Sequence, residues 1–167
     1  MQLSKFNQAS SEDVSRLLKQ LVHIDSWVNC LEQQRPYTSK QDLLQYAEQQ
    51  TKTWTWQDIS SALATHPRIG EKQAKHALTN KEQTFSKNEQ ANVSQDQATQ
   101  EALLAGNLAY EAKFDFIFLI RAAGRSSSEI LATLQQRLDN DLENEKKIVH
   151  SQLAEIALLR LAQEIEA

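Results

Sequence analysis

Five times along the chain a small hydroxyl residue stands three positions before an acid or amide at the head of an apolar run: Ser10 with Asp13, Ser39 with Asp42, Thr55 with Asp58, Ser94 with Gln97 and Ser126 with Glu129. In this capping arrangement the hydroxyl accepts from the backbone N–H three residues on, and the acid or amide reaches back to the hydroxyl residue's own N–H. Two donors that a helix start would otherwise leave orphaned are thereby satisfied. The runs behind these starts have helical spacing, as in Val14, Leu17, Leu18 and Leu21, in Leu43, Leu44, Tyr46 and Ala47, in Ala102, Leu103, Leu104, Leu108 and Ala109, and in Ile130, Leu131, Leu134 and Leu138. A further run, Ile24, Trp27, Val28 and Leu31, ends before Arg35-Pro36. The last begins at about Asn140 or Asp141 and places Leu142, Ile148, Val149, Leu153, Ile156, Leu159 and Leu161 on or near one broad face, with Glu143, Glu145, Lys146 and Lys147 mostly on the other. Three glycines and two prolines in 167 residues leave little to interrupt helices. These features predict an all-α fold, a compact single-domain bundle of about seven to nine helices over residues 1–167.

The formal charge of −4 is spread without a basic block, which argues against a nucleic-acid partner. Cys30 is the one cysteine, so neither an internal disulfide nor a cysteine metal motif is available. The first residues, MQLSKFNQAS, lack a basic and an apolar leader region, and no stretch approaches the length of a membrane span. A soluble, cytoplasmic protein that meets no membrane is expected. His23, His76 and His150 have no partners at metal-ligand spacing and read as ordinary helix-face residues; no metal site is expected. The polar run from Thr79 to Gln100 reads as partly mobile.

One segment departs from helical spacing. Phe114-Asp115-Phe116-Ile117-Phe118-Leu119-Ile120 has a period near two at its phenylalanines, as a strand would. A lone strand among helices leaves its backbone groups unpaired, so an irregular or helical buried segment is expected. Were it extended, its N–H and C=O groups would need partners, and a bound polar ligand could supply them.

The best candidate for chemistry is Thr65-His66-Pro67-Arg68-Ile69-Gly70-Glu71. Proline disfavours the helical conformation at the residue before it, so the helix through Ile59 to Ala64 is predicted to stop at or just before His66. The imidazole then projects off a helix end, beside a cation, a carboxylate and a glycine hinge. Histidine titrates near neutrality and can give or take a proton. By itself, His-Pro behind a helix is also a plain stop signal.

Further segments complete a pattern: Ser86-Lys87-Asn88-Glu89-Gln90, then Asn107-Leu108-Ala109-Tyr110-Glu111-Ala112-Lys113-Phe114 leading into Phe116-Ile117-Phe118, and Leu159-Arg160-Leu161. In this order and spacing the chain, from about Trp27 to Leu161, resembles the decarboxylases of 2-oxo-4-hydroxy-4-carboxy-5-ureidoimidazoline (OHCU), which act in urate degradation. The resemblance implies a cofactor-free helical homodimer that converts OHCU to (S)-allantoin. It places the catalytic acid on His66 and a second catalytic residue on Glu89, which either holds His66 or meets the substrate's ureido N–H groups. It places substrate contacts on Pro67, Ser86, Gln90, the backbone of Phe118, Leu119, Ile120, Arg121 and Ala122, and on Arg160. The chain departs from the commoner family pattern at Asp115, where many relatives have glycine, and at Arg121, where many have a small residue or cysteine.

The residue types suit the reaction. Loss of CO₂ leaves electron density that spreads into a ring carbonyl and amidine system, and the protein must supply donors to that anion and one proton to a single face. Other readings stand beside this one. Ser86 with Glu89 has the spacing of a helix cap, and Arg160 could snorkel between leucines, although its neighbours suggest a pocket edge. Tyr110 and Asn107 are read as fixing helix packing beneath the site, and Lys113 and Arg125 as surface charges. The same scaffold could serve another ureido or imidazolinone acid, which Asp115 and Arg121 would signal. A non-catalytic helical interaction module and a metal hydrolase are the remaining alternatives.

Overall fold

The computed structural model describes residues 1–70, 79–93 and 97–167, and among these it is helical, with no strand. Glu71, His76 and the start at Ser94 lie outside the described residues. The chain divides into two units, Met1–Ala62 with Ala154–Ala167, and Leu63–Leu153.

The first unit holds α1 (Leu3–Gln8), α2 (Ser11–Leu21), α3 (Asp25–Gln33), α4 (Lys40–Thr51), nearly all of α5 (Trp56–Leu63) and the second half of α9 (Leu142–Glu164). The caps are those read from the sequence: Ser10 accepts from the N–H of Asp13, Ser39 from that of Asp42, and Thr55 and Asp58 form the full reciprocal pair. α2 packs on α3 and α3 on α4, where the Trp27 indole donates to the carbonyl of Ala47 at 3.1 Å. The short α1 has no counterpart in the sequence reading. Its end is held by Arg35, whose guanidinium donates to the carbonyls of Phe6 and Ala9, each at 2.8 Å, and to Glu32. His23 sits in the turn between α2 and α3 and not on a helix face.

The second unit holds α6 (Asn80–Glu89), α7 (Gln97–Phe114), α8 (Ser127–Leu138) and the first half of α9. Its core gathers Leu103, Tyr110 and Phe114 of α7, Ile130 and Leu134 of α8, and Phe118, Ile120 and Ala122 of the segment between them. Ser126 caps α8 as expected. Much of the polar run after Thr79 is helical: Thr79 and Glu82 form a full capping box at the head of α6. Ser86 and Glu89 are therefore not a cap; they lie in the last turns of that helix, and Gln90 is its C-terminal cap residue. α7 and α8 approach closely at Gly106, where an added Cβ would run into Cδ2 of the buried Leu134. Gly106→Ala is expected to lose about 1 kcal/mol or more, overpacking outweighing the helix-propensity gain of alanine, as a lower urea midpoint. An unchanged or raised midpoint would contradict this packing.

Two of the expectations for α9 are corrected. Glu145, read as polar-face, is 0% exposed, and Leu159, read as core, is 37% exposed while its neighbour Arg160 is buried. In both cases a paired polar group takes the inward position. The Arg160 guanidinium donates to the Leu21 carbonyl at 2.9 Å, within the first unit.

Burial pushes the phenols of Tyr37 and Tyr110 up from their ordinary value; nearby Tyr46 adds to this at Tyr37, and the hydrogen bond to Glu145 adds to it at Tyr110. Each folded pKa lies above the unfolded value of about 10, so the stabilisation is whole below that pH and is lost as pH rises beyond it. In an alkaline titration, phenolate absorbance from these two tyrosines should appear together with loss of helical circular dichroism. Ionisation of all three tyrosines with the helix signal intact would contradict this.

Candidate functional site

The His66 corner is set where the sequence places it. α5 ends at Leu63, and the His66 N–H donates to the Leu63 carbonyl at 3.1 Å in the closing turn. The ring is half-buried, and its Nδ1 lies 3.2 Å from the Pro67 carbonyl. A carbonyl oxygen can only accept, so this contact suits a proton on Nδ1, and the ring's other nitrogen, Nε2, is buried.

Beyond Pro67 the chain is laid along α7. Arg68 donates to both carboxylate oxygens of Glu111, Nε at 3.0 Å to each and Nη2 at 2.6 Å to Oε1. The Asn107 amide donates to the Ile69 carbonyl at 3.1 Å. Gly70 has a φ of +79°, open chiefly to glycine, and a Cβ there would lie 3.2 Å from Cδ1 of Leu103. Residues 68, 69 and 70 thus meet residues 111, 107 and 103 in turn, spaced four apart on one face of the helix. A groove of about 550 Å³ runs beside this contact, lined by the loop and by Gln100, Leu104 and Leu108. His66, Ser86, Glu89 and Gln90 are not among its lining residues, so it neighbours the corner and does not contain it.

The end of α6 meets the same loop. The Gly70 N–H donates to Oε1 of Gln90 at 2.9 Å, and Nε2 of Gln90 donates to the Ser86 hydroxyl at 3.2 Å. The structure therefore brings Ser86, Gln90 and the His66 loop together, with Glu89 adjacent as the last residue of α6. An amide carries two donor hydrogens and two acceptor lone pairs, so Gln90 has one of each beyond these bonds.

The segment after α7 is irregular and buried, as expected, with Phe118, Leu119, Ile120 and Ala122 buried and Arg121 half-buried. Part of its backbone is satisfied by side chains. Arg137 donates to the Leu119 carbonyl at 2.7 Å, Gln152 accepts from the Arg121 N–H at 2.9 Å, and Arg125 donates to the Arg121 carbonyl at 2.8 Å. Arg137 also donates to Glu145 at 2.7 Å and lies over the Phe118 ring, 4.6 Å from its centroid. Glu145 in turn accepts from the Tyr110 hydroxyl and from Asn140. Asp115 takes a φ of +64° just past the end of α7, the left-handed position where a helix favours glycine. That accounts for the glycine commoner in the resembling family, and for aspartate as a tolerated replacement. Arg160 belongs to the first unit and is 6% exposed.

Sequence reasoning named Arg68 only as the cation beside His66, and missed the anchoring parts played by Glu111, Arg137, Glu145 and Gln152. For Glu111 a signal was present in its i, i+4 relation to Asn107. For Arg137 and Glu145 there was none, since charged residues on amphipathic helices ordinarily face water.

A sequence model of the family described as OHCU decarboxylase matches residues 7–162. The chain is 31% identical over 96% of its length to the uric acid degradation bifunctional protein of Bacillus sp. (strain TB-90), covering 32% of that protein. It is 29% identical over 63% of its length to the uric acid degradation bifunctional protein TTL of Arabidopsis thaliana, covering 33% of it. The chain thus spans about a third of the length of these curated relatives. A solved OHCU decarboxylase, determined in the presence of (S)-allantoin, superposes with a TM-score of 0.73 at 22% identity, over 93% of this chain and 98% of that one. A solved (S)-allantoin synthase superposes with a TM-score of 0.71 at 16% identity, over 99% of this chain and 54% of that one. Both share the fold.

Proposed function

Since the chain belongs to the OHCU decarboxylase family, we propose that it removes CO₂ from OHCU to give (S)-allantoin, with His66 as the proton donor. The bond to the carboxylate breaks, its electron pair passes into the ring carbonyl and amidine system, and CO₂ leaves. The hydroxyl left on that carbon gives up its proton and becomes the second ring carbonyl, and a proton is added to the neighbouring ureido-bearing carbon, which becomes the stereocentre. His66 suits the last step because the Pro67 carbonyl orients the ring through Nδ1, and a ring nitrogen can carry and give up a proton. That arrangement, on a half-buried imidazole at a helix end, is the observation that carries the reading.

Gln90, anchored to Gly70 and Ser86, retains a donor and an acceptor that match the alternating edge of a ureido group. Glu89 either holds the imidazole or meets the ureido N–H groups. The backbone of residues 118–122 presents polar groups to the ring; a substrate role for Arg160 rests on the resemblance alone. The reading extends to a homodimer in the cytoplasm. The activity on another imidazolinone acid loses one of its two signals, because Asp115 has a conformational explanation.

The test is to generate OHCU from urate with urate oxidase and hydroxyisourate hydrolase and to measure CO₂ release with and without catalytic amounts of the protein. Release should accelerate in proportion to protein. Release at the spontaneous rate, whatever the amount added, would remove the reading.

A further inference from the structure

Two side chains that nothing above assigns to the reaction hold the loop that carries its proton donor. We propose that Asn107 and Glu111 are positioning residues: by fixing the Ile69 carbonyl and the Arg68 guanidinium they set the direction from which His66 delivers its proton, and so the configuration of the product. This rests on the function proposed above and assigns no contact between either residue and substrate.

The geometry argues for positioning over plain stabilisation. Asn107 is 4% exposed, and its Nδ2 donates to the Ile69 carbonyl while its Oδ1 is buried without a hydrogen bond among the described residues. A buried acceptor left unpaired costs folding about as much as the amide's one bond to the Ile69 carbonyl contributes, so a leucine of similar volume would leave stability little changed. What the amide supplies is a fixed point for the loop, three residues after His66. Glu111 gives a second fixed point two residues after it. Its pair with Arg68 is part-exposed, 24% and 23% at the two side chains, and a pair so placed stabilises little. Yet three N···O contacts on both carboxylate oxygens hold the guanidinium in position and angle, as a lone ammonium contact could not. The two anchors are one helical turn apart on α7, so they constrain the rotation of the loop as well as its distance from the helix.

A planar carbanion can be protonated from either face. With the imidazole held, the proton arrives on one side; with the loop loosened, solvent competes and both configurations form. The deciding readout is therefore the enantiomer ratio of the allantoin, which a residue that only stabilises the fold would not move.

The experiment compares wild type with Asn107→Leu and Glu111→Gln, using OHCU generated in situ. Product is resolved by chiral chromatography, alongside kcat, KM and the melting temperature. Both variants should melt within about 3 °C of wild type and bind substrate with KM changed by less than about threefold, while kcat falls by about tenfold to a hundredfold and the minor enantiomer rises clearly above the wild-type trace. Should Asn107→Leu fail to fold, that result counts against the argument from its unpaired acceptor, and Glu111→Gln, at a part-exposed position, decides the proposal. Variants that melt lower but give the wild-type enantiomer ratio overturn it. A wild type that itself yields racemic allantoin overturns the function proposed above and this inference with it, whereas a stereospecific wild type with equally stereospecific variants overturns this inference alone.

Discussion

Exchange of His66 for asparagine is expected to lower turnover of OHCU by about 10²–10⁴-fold, the contribution of a positioned general acid. The melting temperature should stay within a few degrees of wild type. Asparagine is smaller than histidine and carries an amide N–H that can still reach the Pro67 carbonyl, so the local hydrogen bond has a substitute. The turn itself is closed by the backbone bond from His66 to Leu63, which is indifferent to the side chain. The ring is half-buried, so little apolar area is lost. What disappears is the ring nitrogen that can carry and give up a proton. Initial rates of CO₂ release, with thermal melts on the same samples, separate the outcomes. Full turnover in the variant would show that another group donates the proton, and a melting temperature lowered with turnover per folded molecule intact would make the corner a structural stop.

The largest loss of stability is expected at Glu145. Its carboxylate is fully buried and accepts from Arg137, from the Tyr110 hydroxyl and from Asn140, while Arg137 also holds the Leu119 carbonyl and covers the Phe118 ring. Glu145→Ala leaves a guanidinium buried without its counter-charge, which costs about 3–5 kcal/mol. For a chain of this size that lowers the melting temperature by roughly 10 °C. Removing both charges with apolar groups of similar volume, Arg137→Met with Glu145→Leu, is expected to recover much of the loss, because neither charge is then stranded. Recovery stays incomplete, since the Leu119 carbonyl and the Tyr110 hydroxyl lose their partners. Calorimetric or urea unfolding of the two variants checks this. A Glu145→Ala variant within about 1 kcal/mol of wild type would mean that the network is not holding the segment.

These two results bear on different levels of the molecule, and the sequence revealed them unequally. The helices were legible because their starts are chemically marked: a hydroxyl at one position and a carboxylate three later satisfy backbone donors locally, whatever the tertiary fold. The same rule misassigned Ser86 with Glu89, because a genuine box at Thr79 and Glu82 begins the helix seven residues earlier and leaves the second pair in its last turns. The corner at His66 was legible because proline restricts its predecessor whatever surrounds it.

Burial of charge was not legible. Periodicity puts Glu145 among polar neighbours and Leu159 among apolar ones, and the structure inverts both because a carboxylate or guanidinium can be buried once every hydrogen-bonding position is met. Such partners come from distant parts of the chain, Tyr110 lying 35 residues from Glu145. The rail of Leu103, Asn107 and Glu111 lies between these cases. Its spacing was visible on paper, but only the path of residues 68–70 along it shows what it holds.

The configuration of the allantoin produced is the most direct test of the account, because a proton given by one fixed imidazole reaches one face and a proton from water reaches both. OHCU consumed by the wild-type protein should appear as the S enantiomer at the rate at which CO₂ is released, with the racemic background confined to the spontaneous reaction. Accelerated release of CO₂ with equal amounts of both enantiomers would contradict delivery from His66.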